Sequence, residues 1–155
     1  MRAPYQVLVL PYIVDENTVK YAVFNRADDR YWQGIAGGGE EGETIIEAAR
    51  REAFEEAGLT SDLSFLRLDS ISSIPVEHVV GTFLWGDEVY VINEYSFGVE
   101  VLKKDLSLSK EHSFYKWVSY DEALSLLKWD SNKTALWELN RRVLKQINEK
   151  KKKTF

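Results

Sequence analysis

The chain has 155 residues, near the usual size of one domain, and its 45% hydrophobic and 29% charged residues exclude wholesale disorder. A net charge of −5 argues against tracking a nucleic-acid backbone, and the absence of cysteine excludes disulfides, thiolate catalysis and Cys-ligated zinc. No stretch approaches the ~20 apolar residues of a membrane helix, and the N-terminal apolar run has no basic leader or cleavage site, so the expected address is the cytoplasm.

In chain order, Gln6 to Val14 is β-branched and apolar and reads as a strand, closed by turn chemistry at Asp15-Glu16-Asn17. Val19 to Asn25 reads as a second strand. A helix follows, opening at Thr44 with Glu47 three residues on, a capping box, and stopping at Gly58. Leu63 to Ser72, Val89 to Leu102 and Phe114 to Val118 read as further strands. A second helix starts at Ser119 with Glu122. A third follows Asp130 and Ser131 and carries Leu136, Leu139, Val143 and Ile147 at helical spacing. Strands interleaved with few helices predict a mixed α+β or α/β sandwich, with helices covering a central sheet. The expected organisation is one domain over residues 1–149 and a basic tail, 150–155, whose lysines repel one another and fray.

The segment that carries chemistry is Gly37 to Leu59, GGGEEGETIIEAARREAFEEAGL. Glu52 and Glu56 are four apart, so they stack on one helical face, with Glu55 beside both. Like charges at that spacing destabilise an isolated helix by a few tenths of a kcal/mol, and in its C-terminal half they oppose the dipole. A divalent cation reverses the sign, because hard oxygen ligands on one face suit Mg²⁺ or Mn²⁺. A solvated acidic face with an Arg51–Glu55 surface pair is the bland alternative.

The wider spacing decides between them. Gly37, five residues, Glu43, seven residues, then Arg51-Glu52-Ala53-Phe54-Glu55-Glu56-Ala57-Gly58-Leu59 resembles the Nudix box, G-x5-E-x7-R-E-U-x-E-E-x-G-U with U aliphatic. At roughly 6% per common residue, its fixed identities arise together by chance in fewer than about one chain in a million. Ala53 departs from the pattern by being small, which bears on packing rather than on metal binding. The resemblance implies an α+β fold, an α/β/α sandwich around a mixed central sheet, with the box as loop, helix and loop. It implies hydrolysis of a nucleoside diphosphate linked to another group, with Mg²⁺ or Mn²⁺. On it, Glu52, Glu55 and Glu56 are the metal-binding carboxylates, Glu52, Glu55 and Arg51 carry the catalytic roles, and Glu43 and Gly58 are structural. Gly37 and Gly38 match positions where backbone passes close to metal and phosphate.

Outside the box, EHSFYKWVSYDEALSLLKWDSNKTALWEL from Glu111, and RADDRYWQGIAGGGEEGET from Arg26, are similar to the bacterial dihydroneopterin triphosphate pyrophosphatases, also described as dATP pyrophosphohydrolases. That resemblance makes Glu111 a further metal ligand. It puts Arg26, Arg2, Ala36 and Ser131 at substrate positions, although Ser131 also reads as a helix N-cap and Ala36 is not polar. The implied partner is a nucleotide or pterin triphosphate, with no stable nucleic-acid or membrane partner and a homodimer left open. Trp32 and Trp85, in predicted loops, are candidate platforms for its ring, whereas Trp117 and Trp137 read as core. His78 and His112 are set aside as structural. Pro75 resembles a marker of ADP-ribose pyrophosphatases, which keeps that activity as the enzymatic alternative. A nucleotide-sensing module without catalysis is the alternative of another class. A P-loop at Gly37-Gly38-Gly39 fails for want of the following Lys-Ser/Thr.

Overall fold

The apolar N-terminal run becomes β1 (Arg2–Asp15), and its side chains alternate between two separate cores. Val7 and Val9 face one side and Leu8, Leu10 and Tyr12 the other, all almost fully buried. A strand covered on both faces needs apolar residues at every position, so its sequence shows no period of two. The structure, a computed structural model, describes residues 1–26, 30–110 and 112–153.

After β1 come β2 (Thr18–Arg26), β3 (Trp32–Gln33), β4 (Ile35–Glu40), α1 (Ile45–Ala57), β5 (Phe65–Pro75), α2 (Val76–Val79), β6 (Val91–Glu100), β7 (His112–Val118), α3 (Tyr120–Leu126) and α4 (Asp130–Lys153). The strands form one mixed sheet among the described residues. β1 runs parallel to β6 on one side; on the other its first part pairs with β4 and its last part with β2, both antiparallel. β7 and β3 pair with β2, and β5 pairs with β6. The β1–β2 hairpin turns at Glu16 and Asn17, both at positive φ (49° and 67°), the twist that two-residue hairpins favour.

α1 covers one face. It presents Ala48, Ala49, Ala53 and Ala57, all buried, to Val7, Val9, Ile35 and Val99, so the helix lies close against the sheet. The small residue at Ala53 is thus a packing feature. α3 and α4 cover the other face through Ala123, Ala135, Leu136, Leu139 and Val143. β5 ends the strand order, and its register breaks between Arg67 and Ile71. There Glu138 of α4 accepts from the backbone N–H groups of Asp69 and Ser70 at 2.7 and 2.8 Å, so a loosened stretch of the edge is occupied.

The α/β/α architecture agrees with the sequence expectation. Thr44 and Gly58 cap α1 as expected, with the complete capping box and Gly58 at φ 71°. Four expectations need correction. The glycine-rich start of the box is strand β4, because it pairs with β1 from Arg2↔Glu40 to Val9↔Ile35. The lysine tail continues α4 through Lys153; cations at a helix C-terminus are favoured by the dipole, which offsets their repulsion. Ser131 is no N-cap, since α4 already begins at Asp130. Trp137 is 53% exposed, stacked on by the Arg141 guanidinium, whereas Trp117 packs against the α1 core. Among the described residues no helix is long and apolar enough to cross a membrane.

Candidate active site

Arg51 organises the box. Its Nε and Nη2 donate to the two Glu43 carboxylate oxygens at 2.7 and 3.0 Å, and Nη2 also donates to the Gly38 carbonyl at 2.8 Å. Nη1 donates to Glu52 at 2.9 Å and Glu55 at 3.2 Å. One planar guanidinium thereby ties the strand, the connecting turn and the helix; a lysine ammonium has no such fork. Glu43 also accepts from the backbone N–H of Glu40 at 2.8 Å, closing the turn into α1. Hydrogen bonding by Arg51 holds the Glu43 carboxyl below its ordinary range, and the same bond keeps the Arg51 guanidinium more firmly protonated than usual.

A cleft of about 840 Å³ opens beside this hub. Glu52 and Glu56 form part of its wall, 8% and 5% exposed, on the flank of the helix whose alanines face the core. Two glycines on the cleft let side chains lie close against the backbone. A Cβ on Gly37 would overlap the Glu52 carboxylate, and one on Gly38 would overlap the Arg2 guanidinium. Arg2 lies in the cleft beside Gly38, and its Nε has no hydrogen-bond partner among the described residues. Burial pulls its pKa down, while Glu52 and Glu40 pull it back up. A half-desolvated guanidinium without a full set of acceptors is suited to an anionic ligand.

The facing wall comes from distant segments. Glu94 of β6 is 2% exposed and accepts from Gln6 Nε2 at 2.7 Å, across the parallel β1–β6 pairing. Burial pushes its carboxyl above the ordinary value, against hydrogen bonds from Gln6 and Ser131. The start of α4 is moored by Asn132, whose Oδ1 accepts from the buried Gly34 N–H at 2.8 Å, and by the Lys128 N–H on the Trp32 carbonyl at 3.1 Å. This brings Trp129, Asp130 and Ser131 onto the cleft, facing Ser72 to Pro75 and His78.

Of the residues expected from sequence, Arg2, Arg26, Ala36, Gly37, Gly38, Glu52, Glu56 and Ser131 share this one cleft. Glu55 does not line it; its side chain is 55% exposed and rests on Arg51. Glu111, and the Asp28–Asp29 part of the N-terminal motif, lie outside the described residues. Neither expected ring platform lines the cleft. Trp32 packs edge-on against Phe114 at 5.2 Å, and the Trp85 indole donates to the Arg2 carbonyl at 3.0 Å. The aromatic groups on the cleft are Tyr31, Trp129 and His78 instead. Glu94, Gln6 and Gln33 were also missed. Each is a polar residue inside a strand, and no local pattern marks such a residue as facing a cavity.

Among the described residues, no three carboxylate or imidazole groups gather as a metal cage. The donor set nevertheless fits a hard cation of the Mg²⁺ type, which takes one or two carboxylates and completes its shell with water and substrate phosphates. Glu52 and Glu56 supply those carboxylates on the cleft wall, and the absence of a side chain at Gly37 is what lets the Glu52 carboxylate lie against the backbone there.

The NUDIX domain model matches residues 6–139. A dihydroneopterin triphosphate diphosphatase of Haemophilus influenzae is 32% identical over 135 residues, covering 84% of this chain and 83% of that one. The crystal structure of a NUDIX hydrolase from Listeria monocytogenes is 44% identical, covers 94% of this chain and 97% of its own, and superposes with a TM-score of 0.84. The E. coli dihydroneopterin triphosphate pyrophosphohydrolase superposes with a TM-score of 0.74 at 26% identity, over 90% and 97% of the two chains. With the fold, the box and the cleft in agreement, the chain belongs to the NUDIX domain family and is a hydrolase of phosphoric anhydride bonds.

Proposed function

We propose that the protein hydrolyses a diphosphate linkage in a nucleoside triphosphate or pterin triphosphate, of the dATP or dihydroneopterin triphosphate type, and releases pyrophosphate and a monophosphate in the cytoplasm. The observation that carries this reading is the polarity of the cleft: Glu52, Glu56, Arg2 and the Gly37–Gly38 backbone form a charged group, and Tyr31, Trp129 and His78 form an aromatic one. A polyphosphate with a flat ring at one end matches both. The relatives named for dihydroneopterin triphosphate support the same class.

In this reading Glu52 and Glu56 hold Mg²⁺ or Mn²⁺, with Glu55 beside them and Glu111 completing the set. Held there, such an ion would supply charge neutralisation for the polyphosphate and lower the pKa of the attacking water. Arg51 orients the Glu52 carboxylate and keeps Glu55 within reach, so the carboxylates are positioned before substrate arrives. Arg2 donates to phosphate oxygens, gaining strength from its burial, and Arg26 adds a second cation on the same cleft. Glu43 and Gly58 fix the two ends of the helix segment.

The test is product analysis with dATP, dihydroneopterin triphosphate and ADP-ribose, each in Mg²⁺, in Mn²⁺ and in excess chelator. Pyrophosphate and a monophosphate from a triphosphate, abolished by chelator, is the expected result. A second reading, an ADP-ribose or other nucleoside-diphosphate-X pyrophosphatase, has one observation in its favour, Pro75 on the cleft. It gives AMP and ribose 5-phosphate with negligible triphosphate turnover. Tight binding without any turnover identifies a nucleotide-sensing module, and full turnover in chelator removes the metal from the reaction.

A further inference from the structure

We propose that Trp129 and His78 are the two jaws of a clamp that stacks on the substrate's flat ring and favours a bicyclic ring over a pyrimidine. This rests on the preceding reading and assigns the ring end of the same cleft. The two rings lie 6.2 Å apart between centroids with planes inclined by 35°, and both residues line the cleft. A ring stacked on two faces needs about 3.5 Å on each side, or about 7 Å in all. The two rings now rest against each other at an angle, so a flat ring enters between them only when they separate and turn towards parallel.

The jaws are unequally held. Trp129 is the fixed one. Tyr31 packs edge-on against it at 5.4 Å and 87°, and the Lys128 ammonium sits over both rings, 4.8 Å from Trp129 and 4.5 Å from Tyr31. The Trp129 carbonyl accepts from the Lys133 N–H at 3.2 Å, joining it to the first turn of α4. His78 is exposed on the four-residue α2, so it is the jaw whose side chain turns aside to admit the ring. Stacking is tolerant of ring chemistry but grows with overlap area, so a two-ring system gains more between these jaws than a one-ring system.

Two readouts test the clamp. The first is steady-state kinetics of wild type, Trp129→Ala, Trp129→Phe and His78→Ala on dATP, dCTP and ringless inorganic tripolyphosphate. Trp129→Ala should raise KM for dATP about tenfold with kcat within about twofold, Trp129→Phe should recover most of the loss, and His78→Ala should raise KM about threefold. The preference for dATP over dCTP should shrink in Trp129→Ala, and any tripolyphosphate turnover should not change. The second readout needs no hydrolysis: dAMP added in excess chelator should quench tryptophan emission excited at 295 nm in wild type and not in Trp129→Ala. Unchanged KM for dATP in Trp129→Ala, or quenching that survives the substitution, overturns the clamp while leaving the proposed hydrolysis intact. If wild type hydrolyses no triphosphate, that reading fails and the quenching experiment alone decides the clamp; absence of quenching in wild type also overturns it.

Discussion

The two walls of the cleft hold their charged groups in different ways. Behind the α1 wall, Glu43, Glu52 and Glu55 converge on Arg51, and each is within eight residues of it in the chain. On the facing wall, Gln6 reaches Glu94 across 88 residues, and Gly34 reaches Asn132 across 98. The first wall needs only the helix, the turn before it and the adjoining end of β4 in place. The second exists only when β1, β6 and α4 are in register. A local, over-determined wall suits groups whose relative placement must not vary, and a wall built from distant segments leaves room for the ring end to differ between relatives of the same family.

The sharpest way to break this contrast is Glu56→Gln, which keeps side-chain shape while removing one charge from the α1 wall. Turnover should fall by about a hundredfold or more, on the order of 3 kcal/mol in the barrier. The melting temperature without metal should hold or rise, because a like charge one turn from Glu52 has gone. Activity within about threefold of wild type would remove Glu56 from the chemistry.

Arg51→Lys tests whether the hub matters for its geometry or only for its charge. The charge is retained and the fork is lost, so turnover should drop by about tenfold and stability by about 2 kcal/mol, from the loss of charge-assisted hydrogen bonds in a partly exposed setting. Wild-type denaturation midpoints and kcat in the variant would show that charge alone holds the wall.

The smallest effect lies on the facing wall and is read by pH. Glu43 has its pKa lowered, so its contribution is present above its ordinary value near 4.5 and is lost as pH falls through the lower, folded value. Glu94 has the opposite sign. Its pKa is raised by burial, so the folded state binds its proton more tightly, and stability declines as pH rises from about 4.5 through the raised value. Glu94→Gln should flatten that decline in melts taken from pH 5 to 7.5 without metal, and leave the acid limb unchanged. Identical slopes in variant and wild type would show that Glu94 does not titrate differently in the two states.

Sequence alone determined the parts of this protein that depend on short range. Helix spacing, the Thr44–Glu47 box and the Gly58 cap set α1, and the four-residue separation put Glu52 and Glu56 on one face before any tertiary contact was known. Those constraints act within a few residues, so they survive as a pattern in the chain, and with Gly37, Glu43 and Arg51 they were enough for the family. The N-terminal apolar run likewise reads as a strand because burial on both faces leaves it continuous. Tertiary structure decided the rest. Pairing with β1 turned the glycine-rich segment into a strand, and only that pairing brings Gly38 beside Arg2. Trp32 and Trp85 read as loop aromatics from the residues around them, yet β3 takes up Trp32, and the ties from Asn132 to Gly34 and from Lys128 to Trp32 put Trp129, not them, on the cleft. Which side chain faces a cavity depends on strand register and on where a distant helix docks, and neither is recorded in the residues near that side chain.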